Sequence, residues 1–94
     1  MKILAVCGFG VGSSMVLKMT LEKVVMELGL NADVKNTDIA SAKAEEADVY
    51  FTSAELKPDI ESSTSKPVYA IKRYMDKNEV LQAMNDFLAH RGEK

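Results

Sequence analysis

The pattern of apolar and polar positions divides the chain into strand-like runs and helical stripes. Residues 2–7, "KILAVC", form a continuous apolar run rich in β-formers, the pattern of a strand buried on both faces of a parallel sheet. After a loop over residues 8–13 the period changes to that of a helix starting at Ser13 or Ser14. Leu17, Leu21, Val24 and Leu28 share one stripe, while Lys18, Glu22, Lys23 and Glu27 fall largely off it. Either serine suits an N-cap, and Gly29 stands where a C-terminal cap belongs. "ADVKN", 32–36, reads as a second strand, and Asp38 is placed to cap a short Ala-rich helix over 39–46. "ADVYFTS", 47–53, reads as a third strand centred on Val49, Tyr50 and Phe51. Segment 54–63 reads either as a helix with Pro58 at its first position or as a turn. "KPVYAIKRY", 66–74, reads as a fourth strand entered at Pro67. In the last helix Asp76 caps, Glu79 completes a capping-box pair, and Met75 and Val80 suit a hydrophobic staple. Val80, Leu81, Met84, Phe87 and Leu88 are its buried face.

The order βαβαβ(α)βα predicts an α/β fold: a small open four-stranded parallel sheet, order 2-1-3-4, with helices on both faces, Rossmann-like. Ligands of such sheets bind beyond the carboxyl ends of the strands, at the switch point, which here lies between strands 1 and 3. The chain's 94 residues suit a single domain over 1–94. A net charge of −2 gives no basic field for nucleic acid. The longest apolar runs fall far short of the roughly 20 residues that span a bilayer. Met1-Lys2 leads straight into a strand-like run, and a single cysteine rules out an internal disulfide. Both suit a cytoplasmic location without membrane insertion.

Candidate chemistry concentrates in the first turn of the chain. Gly8, Gly10 and Gly12 let the backbone approach a ligand closely, so that successive N–H groups converge on an anion. The loop runs into a helix N-terminus, whose unpaired N–H groups and positive dipole end favour the same charge. Ser13 and Ser14 add hydroxyl donors. Cys7 stands at the rim of this cradle, in a field of the kind that favours thiolates, and a thiolate facing a phosphate site is a nucleophile aimed at phosphorus. The bland alternatives are a cysteine that only packs at a strand end and glycines that only make a tight turn.

Three phosphate-binding motifs fail on particular residues. Walker A requires a lysine before a serine or threonine, and none is present here. The dinucleotide fingerprint requires G-x-G-x-x-G, whereas the segment reads G-x-G-x-G. The loop of low-molecular-weight cysteine phosphatases has C-x5-R, and six residues after Cys7 comes Ser13. Without that arginine's clamp on the phosphoryl oxygens, hydrolysis has less support. A site that hands a phosphoryl group on should not hydrolyse it, and backbone donors suffice to hold the oxygens through transfer.

"ILAVCGFGVGSSMVLKM" resembles the active-site loop of the enzyme IIB proteins of the bacterial sugar phosphotransferase system. It is most similar to the L-ascorbate type, whose pattern is a strand, C-G-x-G-x-G-S-S-M and an amphipathic helix. The galactitol type shares C-G-x-G and departs after it; the lactose and cellobiose type lacks the repeated glycines. The resemblance implies a phosphoryl carrier. Cys7 accepts the group from a phosphohistidine of the IIA protein and passes it to a sugar, L-ascorbate by the loop's likeness, held by the membrane permease IIC. Gly8, Phe9, Gly10, Val11, Gly12, Ser13 and Ser14 match the phosphate loop, and no cofactor or metal is implied. The alternatives are a low-molecular-weight cysteine phosphatase or arsenate reductase and a regulatory IIB-like module.

Several residues near the loop have two readings. Phe9 and Val11 are either docking knobs for partners or packed back onto the first helix. Met15 and Met19 are expected to face the core or the site rim, with an adaptable partner surface as the alternative. Thr52, Ser53 and Glu55 follow strand 3 and border the switch point. Lys72 and Arg73, further along the sheet, are expected to be solvated, with attraction of a charged partner as the alternative. His90, the one histidine, is expected to serve the dipole of its helix or solvent, not catalysis.

Overall fold

The computed structural model describes residues 1–7 and 11–92, the side chains of 11–14 and 91–92 excepted. Its elements follow the order β1 (Lys2–Cys7), α1 (Val11–Leu28), β2 (Asp33–Asp38), α2 (Ile39–Ala44), β3 (Val49–Thr52), α3 (Lys57–Glu61), β4 (Val68–Ala70) and α4 (Lys77–Gly92). The four strands form one parallel sheet in the order β2-β1-β3-β4, as the alternation predicts. β1 is central, and Ile3, Leu4, Ala5 and Val6 are all fully buried. Side chains of a strand point alternately to the two faces, so this run needs cover on both.

The two faces have separate cores. Ile3, Ala5, Val34, Val49 and Phe51 point toward Leu17, Leu21, Val24 and Val25 of α1 and Val80, Met84 and Phe87 of α4. Leu4, Val6, Tyr50 and Val68 point toward Ala42 of α2, Ala47 and Ile60 of α3. Tyr69 joins the first core at its edge, stacking on Phe51 and meeting Phe87 edge-on.

Caps and turns account for most element boundaries. The Asp38 carboxylate accepts the Ser41 N–H at 2.7 Å as the N-cap of α2. This bond holds the Asp38 carboxyl below its ordinary pKa. A lowered folded-state pKa means that the cap's contribution is complete above the ordinary carboxylate range and is lost as pH falls through the lowered value. Pro58 lies in the first turn of α3, which settles segment 54–63 as partly helical. Asp76 accepts the N–H groups of Asn78 and Glu79 at the start of α4.

Four expectations are corrected. Helix α1 begins at Val11, not Ser13 or Ser14, so Val11–Ser14 is its first turn. β4 is three residues long and stops at Ala70, where the chain leaves the sheet; Ile71 alone extends the ladder by donating its N–H to Thr52 O at 2.7 Å. Met75 is 82% exposed while Val80 is fully buried, so no staple forms. The capping box is half made: Glu79 reaches past Asp76 to accept the N–H groups of Lys72 (2.7 Å) and Arg73 (3.0 Å).

Gly29 ends α1 with φ +67°, the left-handed cap predicted for it, and Leu30 N–H returns to Val25 O at 3.0 Å. A Cβ built at Gly29 would meet nothing within 4 Å. The cost of a side chain is therefore confined to backbone strain. Gly29→Ala should lower the unfolding free energy by about 1–2 kcal/mol, and Gly29→Asn by less, in urea titrations.

Candidate functional site

The carboxyl ends of the strands gather a small set of polar groups around Cys7. Cys7 closes β1 and is only 8% exposed. On one side the β1–β2 register sets it beside Asp38, the last residue of β2. On the other side the β1–β3 ladder ends at Ala5 opposite Phe51. Beyond that point a side chain replaces the ladder: the fully buried Thr52 hydroxyl donates to Val6 O at 3.0 Å. This bond ties the residue before Cys7 to the end of β3.

Ser53 follows, half-buried, and its hydroxyl accepts the Leu56 N–H at 3.3 Å. Tyr74, from the connector between β4 and α4, is half-buried and packs against the first core. Burial pushes the Tyr74 phenol's pKa up, the Ser53 side chain opposes the rise, and the charges of Cys7 and Glu55 add to it. The connector is held to α1 as well: the buried Thr20 hydroxyl lies 2.6 Å from Tyr74 O and 3.1 Å from Val16 O. One hydroxyl proton serves both, and the shorter contact is the stronger.

The charges at this rim are distributed unevenly among the helices. α2 has Asp38 as its cap, α3 has Asp59 in its first turn and α4 has Glu79 in its first turn. Helix α1, which starts four residues after Cys7, has no acidic residue in its first turn. Its positive end therefore has no carboxylate of its own first turn to offset it. The carboxylate set nearest Cys7 by the sheet register, Asp38, is committed to the α2 cap and held ionised. It is poorly placed to act as a proton donor.

The expected site residues divide accordingly. Cys7 lies at the switch point, and the backbone of Val11, Gly12, Ser13 and Ser14 forms the first turn of α1. Gly8, Phe9 and Gly10, and the side chains of Val11, Ser13 and Ser14, lie outside the described residues. Thr52 bonds to the residue before Cys7, Ser53 follows it half-buried, and Glu55 is exposed. Met15 and Met19 do not face the core: they are 45% and 53% exposed. Lys72 and Arg73 are exposed. His90 is exposed, with its ring Nδ1 2.8 Å from Asp86 O. Tyr74 and Thr20 were not anticipated. Reading 66–74 as a strand concealed Tyr74, although the cap at Asp76 and the short run "VYA" were visible signs of a connector.

The sequence model of the family described as "PTS system, Lactose/Cellobiose specific IIB subunit" matches residues 2–84. The chain belongs to this PTS IIB family. It is thus a IIB component of a sugar phosphotransferase system (PTS). An ascorbate-specific PTS system EIIB component from Mycoplasma pneumoniae is 33% identical over 88 residues, 92% of this chain and 93% of that protein. The protein of the same description from Escherichia coli O157:H7 is 29% identical over 76 residues, 79% of this chain and 75% of that protein. In fold, the chain is similar to the lactose-specific IIB component domain from Streptococcus pneumoniae, with a TM-score of 0.64 at 17% identity and 96% of both chains covered. No described helix of this IIB chain is long and apolar enough to cross a membrane.

The Thr52 tie is open to test. Thr52→Val removes the donor and leaves Val6 O buried without it. This should cost about 1–3 kcal/mol in denaturant unfolding, with Thr52→Ser recovering most of the loss.

Proposed function

We propose that this IIB chain is a cytoplasmic phosphoryl carrier. Cys7 takes the phosphoryl group from a phosphohistidine of its IIA partner and delivers it to a sugar held by the membrane component IIC. The observation that carries this reading is the place of Cys7 in a IIB chain: at the carboxyl end of the central strand, four residues before a helix with no acidic residue in its first turn. Attack by the Cys7 sulfur breaks the donor's N–P bond and forms an S–P bond. The loop amides and the Ser13 and Ser14 hydroxyls hold the non-bridging oxygens, with Gly8, Phe9, Gly10, Val11 and Gly12 supplying the loop. No general base is needed once the thiolate is formed.

Two observations favour transfer over hydrolysis. Ser13 occupies the position of a phosphatase arginine, and Asp38 is engaged as a cap beside Cys7. L-Ascorbate is the sugar this reading favours, on the relatives named above. Incubation with phosphorylated IIA should label wild-type protein on Cys7 and leave Cys7→Ser unlabelled. Equal labelling of the variant would overturn the mechanism. Turnover of p-nitrophenyl phosphate that depends on Cys7 would revive the phosphatase reading.

The exposed methionines support a docking surface for IIA. Met15, Met19 and Met26 fall within about 40° of arc on α1 at 3.6 residues per turn, and all three are exposed. The stripe starts in the second turn of α1, the helix that follows Cys7 in the chain. Methionine is adaptable at such surfaces. The double variant Met15→Lys/Met19→Lys should raise the IIA concentration needed for half-maximal phosphorylation by about tenfold. Its unfolding midpoint should stay near that of wild type, because both side chains are already exposed.

A further inference from the structure

β2 is an edge of the sheet, with β1 as its one neighbouring strand. Asp33 N–H donates to Met1 O at 2.8 Å, so the backbone groups of Asp33 face β1 and those of Val34, one residue on, face outward. Side chains alternate along the same strand. Val34 points into the α1 core, while Asp33 and Lys35 share the other face, 3.9 Å apart and largely in solvent. Beside this edge lies a groove of about 440 Å³, lined by Val25, Met26 and Leu30 with Ala32 and Val34. Met26 is 81% exposed, so an apolar groove with a flexible apolar side chain at its wall adjoins the outer strand.

We propose that this edge pairs with the same edge of a second copy of the chain, β2 against β2 and antiparallel, with the two-fold axis through Val34. The charges select both the occupant and the register. Residues opposed across an antiparallel seam both face it or both face away, so the axis passes through a residue and not between two. An axis through Asp33 or Lys35 sets a charge against itself, and one through Asn36 opposes Lys35 to Thr37 without an ion pair. Through Val34, Asp33 of each copy opposes Lys35 of the other, and the pair is made twice. These are the non-hydrogen-bonded positions, where Cα atoms stand about 4.5 Å apart and side chains are closest. Val34 takes the hydrogen-bonded position, its N–H donating to the Val34 carbonyl of the other copy. The same axis brings the two grooves together on one face of the joined sheet, where each Met26 meets the apolar lining of the other copy. Charge on an edge strand often blocks pairing; here it opposes two registers and favours one. Val34 lies beside Ile3, four residues before Cys7, so the two Cys7 ends point in opposite directions along the seam and neither rim is covered.

Sedimentation velocity on the wild-type chain, from micromolar to millimolar concentration at low salt, should show a dimer that grows with concentration. A monomer throughout overturns the proposal, whatever the outcome of labelling on Cys7. Asp33→Lys and Lys35→Asp each turn both cross-strand pairs into like charges, and each alone should associate about tenfold or more weakly. Circular dichroism melts of both should stay near that of wild type, because the two side chains are largely in solvent. An equimolar mixture of the two variants should recover association, since each then meets opposite charge at both positions. Single variants that dimerise as well as wild type, or a mixture that stays monomeric, overturn the register and with it the proposal.

Discussion

Burial of β1 on both faces is the constraint on which the rest of the molecule depends. Its four fully buried residues, Ile3 to Val6, demand two layers of helix and a neighbour on each edge. A central parallel strand must also hand its chain to a crossover at its carboxyl end. In this chain the handover is short, so the last strand residue and the first turn of α1 are brought close together. Cys7 therefore stands four residues before Val11, where α1 begins, through chain connectivity and without a dedicated scaffold. The same topology brings the ends of β2 and β3 to either side.

The rim itself is organised by single hydrogen bonds that take over where the ladders stop. Thr52 to Val6, Asp38 to Ser41, Glu79 to Lys72 and Arg73, and Thr20 to Tyr74 each hold one backbone segment leaving the sheet. The ion pairs contribute differently. Lys18–Glu22, Lys57–Glu61 and Lys77–Glu27 join side chains that are largely in solvent, where such pairs add little. Stability thus resides in the two apolar cores, and the placement of the rim in short polar ties between backbone and side chain.

Much of this was legible in the sequence because burial leaves a periodic trace. The run "KILAVC", the stripe from Leu17 to Val24 and the cap at Gly29 each state their environment locally. The place of Cys7 at the end of the central strand was legible from the apolar run that it closes. The connector was less so. Propensity alone carries "VYAIKRY" on as a strand, and only tertiary competition ends it: Glu79, from α4, captures the Lys72 and Arg73 amides that a longer strand would have used. Tyr74's place depends on that capture and on Thr20, 54 residues away in sequence, which no local pattern encodes. The methionines misled for a related reason: apolar type predicts burial, yet Met15 and Met19 lie off the Leu17–Leu21–Val24 stripe that the core selects.

The direction of β1 has a practical consequence. The strand enters the sheet at Lys2 and leaves it at Cys7. At about 3.3 Å per residue, the amino end of the strand and the sulfur-bearing residue stand roughly 17 Å apart, at opposite ends of the sheet. A tether or bulky label joined through Met1 leaves the rim uncovered. Because the chain has one cysteine, a thiol reagent reports on the rim and nowhere else. Immobilisation and chemical footprinting can therefore be applied to the same molecule without interfering with each other.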